Sequence, residues 1–123
     1  MVKQAVLFDT NILIDYLSGI PKARQEITRY ADSAISVITW MEVMAGAKPE
    51  NEQATALFLV TFRLLTLTPA IAQQAVDVRR TLRIKLPDAI ILATAQIEKR
   101  ILITRNTKDF KPDNISIRLP YQL

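Results

Sequence analysis

The sequence predicts an α/β fold: a three-layer α/β/α sandwich around a central, mainly parallel sheet of four to five strands. Short β-prone runs begin near residues 4, 34, 64, 101 and 115, and all but the last two are separated by segments with helical spacing. That alternation is how parallel sheets with helices on both faces are built. The chain has 123 residues, 50% of them hydrophobic, with two glycines and no cysteine. Such a length is right for one domain, here residues 1–123, whose core needs neither disulfide nor structural metal.

The elements follow in order. Residues 4–8 (QAVLF) form a strand ending at Asp9-Thr10-Asn11, after which Ile12, Leu13, Tyr16 and Leu17 recur at helical spacing. Ser18-Gly19-Ile20-Pro21 breaks that helix, residues 22–30 predict a second, and residues 34–38 a strand. Thr39 then reads as the N-cap of a helix ending at Gly46, with Glu42 at the capping-box spacing. A helix over 50–62, a strand over 64–68 and a helix from Pro69 to Leu82 continue the alternation. Leu86-Pro87-Asp88 opens another helix, closed by Glu98-Lys99-Arg100, whose cations suit a helix C-terminus. Residues 101–103 read as a buried strand, 104–113 as a polar loop and 115–118 as an edge strand.

Composition excludes several chemistries. With no histidine and no cysteine, the chain has no imidazole base, no thiolate nucleophile and no His/Cys zinc site. A net charge of +4 and a pI near 9.6 favour a polyanionic partner such as nucleic acid, although solvated basic surfaces are common. The apolar runs fall short of the roughly 20 residues of a membrane span, and the start MVKQAVLFDTN lacks a signal-peptide pattern. The expectation is a cytoplasmic protein with no membrane association.

Asp9, Glu42, Asp88 and Asp109 each lie inside or at the edge of an apolar segment. Asp9 follows the first strand and Asp109 lies in the loop after the fourth, so both belong to the rim where α/β sheets bind ligands. Glu42 and Asp88 fall in first turns of helices that can face the same rim. Singly, each has an ordinary role as cap, helix-start charge or loop acid. Together they need a counter-charge, because two carboxylates about 4 Å apart repel by roughly 4 kcal/mol at an effective dielectric near 20. Oxygen ligands of this kind suit Mg2+ or Mn2+, which can support phosphodiester hydrolysis without histidine.

The segments VLFDTNILIDYL, ISVITWMEVMAG, LPDAIILATA and LITRNTKDF resemble, in order, the signatures of PIN-domain ribonucleases, above all the VapC-type toxins of toxin-antitoxin pairs. The resemblance runs from residue 5 to about residue 110. It implies the PIN-like α/β/α sandwich and a metal-dependent endoribonuclease in which Asp9, Glu42 and Asp88 hold Mg2+ or Mn2+, with Asp109 as a fourth, more variable acid. It further implies that Thr10, Asn11 and Thr104 contact or brace the acids, that Asn106 shares the place of the fourth acid with Asp109, and that the chain forms a homodimer. A cognate antitoxin would lay its C-terminal segment in the groove.

Basic residues crowd the same part of the sequence. Arg79, Arg80, Arg83 and Lys85 precede Asp88, while Arg105, Lys108 and Lys111 flank Asp109. They are candidate phosphate contacts for RNA, though Arg79, Arg80 and Arg83 equally fit the wet face of a helix. Trp40 and Tyr16 fit core or subunit packing better than base stacking. Two alternatives remain. One is a Mg2+-dependent phosphohydrolase using Asp9 as nucleophile, which Asn11 opposes by standing where the haloacid-dehalogenase type has a second aspartate. The other is a non-catalytic RNA-binding domain, which would not need all four acids.

Overall fold

The computed structural model describes residues 1–111 and 116–123. Its five strands are β1 (Val6–Phe8), β2 (Ser33–Ser36), β3 (Arg63–Leu65), β4 (Ile101–Ile103) and β5 (Ile117–Arg118). They form one sheet in the order β3-β2-β1-β4-β5, and every described pairing is parallel. The helices are α1 (Thr10–Leu17), α2 (Pro21–Thr28), α3 (Val37–Gly46), α4 (Glu52–Leu59), α5 (Pro69–Leu82) and α6 (Leu86–Ile97).

Successive strand residues point to opposite faces, and the core divides accordingly. Leu7, Ala34 and Leu102 pack with Val78, Ile84, Ala89, Ile91, Leu92 and Phe110 on one face. Val6, Phe8, Ile35 and Ile103 pack with Ile12, Leu13, Val43, Leu59 and Phe62 on the other. Near-continuous apolar strands of this kind are what a sheet buried on both faces requires. The expected three layers are therefore present, with α5 and α6 forming one of them.

Strand order places the site. The chain begins in the middle of the sheet, steps outward through β2 and β3, then returns by α5 and α6 to lay β4 on the other side of β1. The order thus reverses between β1 and β4, and the crevice at such a switch point is where α/β sheets bind ligands. Asp9 follows β1 and Thr104 follows β4, on the two lips of that crevice.

Several boundaries differ from expectation. The predicted helix over 50–62 is a short 3-10 turn, Pro49–Asn51, followed by α4. The strand predicted over 64–68 is Arg63–Leu65. Residues 112–115, and with them Ile115 of the predicted edge strand, lie outside the described residues, leaving Ile117–Arg118 as β5 at the sheet edge.

Two corrections bear on particular residues. Thr39 is not a cap: β2 runs directly into α3, whose N-cap is Ser36, its hydroxyl accepting from the Ile38 N–H at 3.0 Å. Glu42 consequently lies past the first turn and belongs to no capping box. Arg100 is not a helix-end charge either. Lys99 adopts φ 56° and turns the chain out of α6, so Arg100 is buried, with Nη1 donating to the Val6 carbonyl (3.1 Å) and to Asp32 Oδ1 (2.9 Å).

Candidate active site

Asp9 is the N-cap of α1 and is 4% exposed. Its Oδ1 accepts from the Thr10 N–H at 2.8 Å, and its Oδ2 accepts from the Thr104 hydroxyl at 2.7 Å and from Asn11 Nδ2 at 3.2 Å. The side chain is thus a satisfied cap and a buried acid at once. Burial pushes its pKa from an ordinary 3.8 up to about 6, against the Thr104 and Thr10 hydrogen bonds, and the Asp88 and Glu42 charges add to the rise.

The other acids approach from separate elements. Glu42, exposed on α3, receives the Thr10 hydroxyl proton at 2.7 Å, while buried Thr39 holds the same hydroxyl at 3.0 Å. Asp88 stands in the first turn of α6. Its pKa is raised by burial first, then by the Asp109 and Glu42 charges, with Lys85 opposing. Neighbouring carboxylates thus act on both Asp9 and Asp88 in the folded site. Asp9, Thr10, Asn11, Ile14, Glu42, Asp88, Arg105 and Asn106 line one open cleft of about 450 Å³.

Asn106 and Asp109 have different positions. Asn106 accepts the Lys108 and Asp109 backbone N–H groups on Oδ1 (both 3.1 Å) and donates from Nδ2 to Asp109 Oδ2 at 3.0 Å. It borders the cleft and orients Asp109, whose charge reaches Asp88 from the neighbouring depression formed with Arg83, Lys108 and Lys111. Thr104 and Asn11 complete the bracing: the Thr104 hydroxyl accepts from the Asn106 N–H (3.0 Å), and Asn11 Oδ1 accepts from the Arg105 N–H (3.2 Å).

The basic candidates are dispersed. Arg105 lines the cleft, yet its Nε and Nη2 are bonded to buried Asp15, the latter at 2.9 Å. Lys85 is the N-cap residue of α6, close enough to lower the Asp88 pKa. Arg83 ends α5 with φ 56° and shares the second depression with Lys108. Arg79 and Arg80 are exposed in the last turn of α5, where they complement the helix dipole. Tyr16 stacks on Phe58 (centroids 4.4 Å apart, planes at 3°) in agreement with a packing role, and Trp40 is 37% exposed.

Sequence reasoning missed Thr39, Asp15 and Tyr121 as parts of the site's frame. Asp15 carried a signal: it stands three residues from buried Ile12 on the apolar face of α1, where an acid needs partners. The Tyr121 hydroxyl donates to it at 2.7 Å, and burial, followed by the Asp15 carboxylate, raises the phenol above its usual range.

Among the described residues, the atoms at the cleft able to ligate a metal are oxygens of carboxylates, amides and hydroxyls, a set suited to a hard cation such as Mg2+. Among the described residues, no three acids stand close enough to enclose an ion by themselves. The arrangement fits an ion that takes one or two carboxylates and keeps its remaining waters, the usual habit of Mg2+.

The PIN domain family profile matches residues 6–112. Ribonuclease VapC10 of Mycobacterium tuberculosis (strain CDC 1551 / Oshkosh) is 31% identical over 113 residues, covering 85% of either chain. A chain from a toxin-antitoxin complex of Klebsiella pneumoniae is 49% identical with a TM-score of 0.92, covering 97% of this chain and 100% of that one. The chain of VapBC2 from Rickettsia felis, solved with a DNA fragment from the promoter, shares the fold at 22% identity and a TM-score of 0.79, covering 94% of this chain and 98% of that one.

Proposed function

The chain belongs to the PIN-domain family, and from that membership we propose that it is a VapC-type toxin, an endoribonuclease that uses Mg2+ or Mn2+ to hydrolyse RNA phosphodiester bonds. The observation that supports the reading best is the meeting of Asp9, Glu42 and Asp88 on one open cleft at the sheet's switch point, where burial first and neighbouring carboxylates second raise the pKa values of Asp9 and Asp88. Such a site gains most from a cation, and a cation binding there competes with protons.

In this reading Asp9 and Asp88 would hold the cation, with Glu42 and Asp109 as the neighbouring carboxylates. Thr104, Asn11 and Thr10 fix the direction of the Asp9 oxygens and of Glu42, and Asn106 fixes Asp109. Fixed ligands confine the attacking water and the phosphate to one geometry, which is the greater part of what a protein contributes to phosphoryl chemistry. A bound Mg2+ or Mn2+ would supply charge neutralisation at the phosphoryl oxygens and a water acidic enough to attack near neutral pH.

An antitoxin partner is part of the proposal, supported by the Klebsiella pneumoniae chain, which comes from a toxin-antitoxin complex at 49% identity. So is a homodimer: exposed apolar side chains such as Leu57 (62%) and Val60 (73%) leave surface for partners. The phosphohydrolase alternative fares worse. Asn11 in the position of the required acid donates to Asp9 and accepts from the Arg105 N–H, a bracing role, and an amide cannot serve as general acid or base. None of the described helices is long and apolar enough to cross a membrane.

The test is cleavage of a labelled RNA pool with EDTA, Mg2+ or Mn2+ by wild type, Asp9→Asn and Asp88→Asn. Cleavage only with metal, lost in both variants, is expected. Cleavage that persists in EDTA, or in Asp9→Asn, refutes the reading.

A further inference from the structure

Asp15 is a carboxylate that the proposed chemistry does not use, and it is 6% exposed. A buried carboxylate demands partners. Among the described residues Asp15 has two: the Arg105 guanidinium, bonded side-on through Nε and Nη2, and the Tyr121 hydroxyl from the C-terminal tail. These tie α1, the turn after β4 and the tail together.

Arg105 also forms part of the cleft wall beside Asp9, Glu42 and Asp88, with its side chain 30% exposed. Its backbone N–H is held by Asn11 Oδ1 at 3.2 Å, so main chain and side chain are both fixed. A side-on pair through Nε and Nη2 leaves the Nη1–Nη2 edge, with one N–H from each nitrogen, turned away from Asp15. That edge has the spacing of two phosphate oxygens. Ordering a long side chain before the ligand arrives spares that entropy on binding.

We infer that Arg105 is a preset contact for an RNA phosphate in the cleft, and that Asp15 and Tyr121 are the positioning residues that aim it. The inference rests on the ribonuclease reading above. It gives the C-terminal tail a part in substrate binding through one phenol, and it makes the Asp15–Arg105 pair more than a structural pin.

RNA binding is measured without divalent metal, by fluorescence anisotropy of a labelled single-stranded RNA of mixed sequence over a range of salt. Cleavage kinetics are measured with Mg2+ or Mn2+. Arg105→Gln is expected to weaken binding on the order of tenfold and to lower the slope of log affinity against log salt by about 0.7, one contact on a single strand. Because this variant leaves Asp15 buried without its cation, the double variant Asp15→Asn with Arg105→Gln is measured beside it. Two amides can pair, so the fold is kept while the phosphate contact is absent. Tyr121→Phe keeps the ion pair and should raise KM several-fold at constant kcat. Arg105→Lys, which keeps the charge without the fork, should fall between wild type and Arg105→Gln.

Wild-type affinity and salt slope in the double variant, with changes confined to Tm, overturn the inference. So does failure of the wild type to bind RNA. If the wild type cleaves RNA while the double variant binds it normally, only the role of Arg105 falls. If the wild type binds but never cleaves, the ribonuclease reading falls, and the metal-free comparison still decides on Arg105.

Discussion

Replacing Asp9 with asparagine should change the pH dependence of stability more than stability itself. In the metal-free protein Asp9 binds its proton with a pKa of about 6, against 3.8 for an ordinary aspartate. Between those values the folded state holds more protons than the unfolded one, so stability falls as pH rises through the window. The interval is about 2 pH units at about 1.4 kcal/mol each, so the buried carboxylate removes roughly 3 kcal/mol from the fold by pH 7. Asp9→Asn abolishes that slope.

The variant carries a penalty of its own. Oδ1 accepts from the Thr10 N–H, and Oδ2 from the Thr104 hydroxyl and Asn11 Nδ2. Whichever way an amide is turned, its nitrogen meets a donor, at about 1–3 kcal/mol independent of pH. Urea denaturation in EDTA from pH 4 to 8 should therefore show Asp9→Asn less stable than wild type near pH 4 and equal or more stable near pH 7. Saturating Mg2+, at 100 times its Kd, should restore about 2.7 kcal/mol to the wild type alone. A difference between the two proteins that stays within about 0.5 kcal/mol across this pH range refutes the reasoning.

Thr104→Val removes the hydroxyl that most opposes the Asp9 rise, so the wild-type pH slope should extend to higher pH in the same denaturation series. Ser36→Ala should cost about 1 kcal/mol, measured by urea titration, as the loss of the true α3 cap; Thr39→Val, being no cap, should keep stability closer to wild type but lower kcat by freeing Thr10 and Glu42. Arg118→Gln leaves Glu26, 4% exposed, with Tyr30 and with Arg29 at 3.7 Å but without its bidentate cation, and should cost about 2 kcal/mol in urea titration. Burial pushes the Glu26 pKa up but Arg118 and Tyr30 outweigh it, leaving it below ordinary. The stability it contributes is present above its unfolded pKa and lost as pH falls through the folded one, and Arg118→Gln should weaken that acid limb.

The fold was legible because its signals are local and redundant. Apolar runs at Val6–Phe8 and Ile101–Ile103 cannot be solvated on either face, and Pro69 marked the start of α5 to the residue. The four acids were legible because charge beside apolar sequence demands a reason. Thr39 misled because the capping-box rule reads only four residues at a time. Ser36 ends a strand that passes straight into α3, so the cap was already taken and Thr39 was free to turn inward to Thr10. Arg100 misled in the same way. A cation after a helix satisfies the dipole rule, but the left-handed Lys99 sends it under the sheet to the Val6 carbonyl and Asp32.

Each of those local rules failed where a side chain found a partner far along the chain. Asp9 and Thr104 meet only because β4 lies beside β1, and Asp15 meets Tyr121 only because the tail crosses back after β5. The same parallel crossover that separates these residues in sequence leaves the crevice open between them. A site built at that seam draws its oxygens from independent elements, so Asp9, Glu42 and Asp109 are held by Thr104, Thr10 and Asn106 while the acids do not neutralise one another. That is the state in which a cleft retains the most affinity for a cation and for the phosphate it would carry.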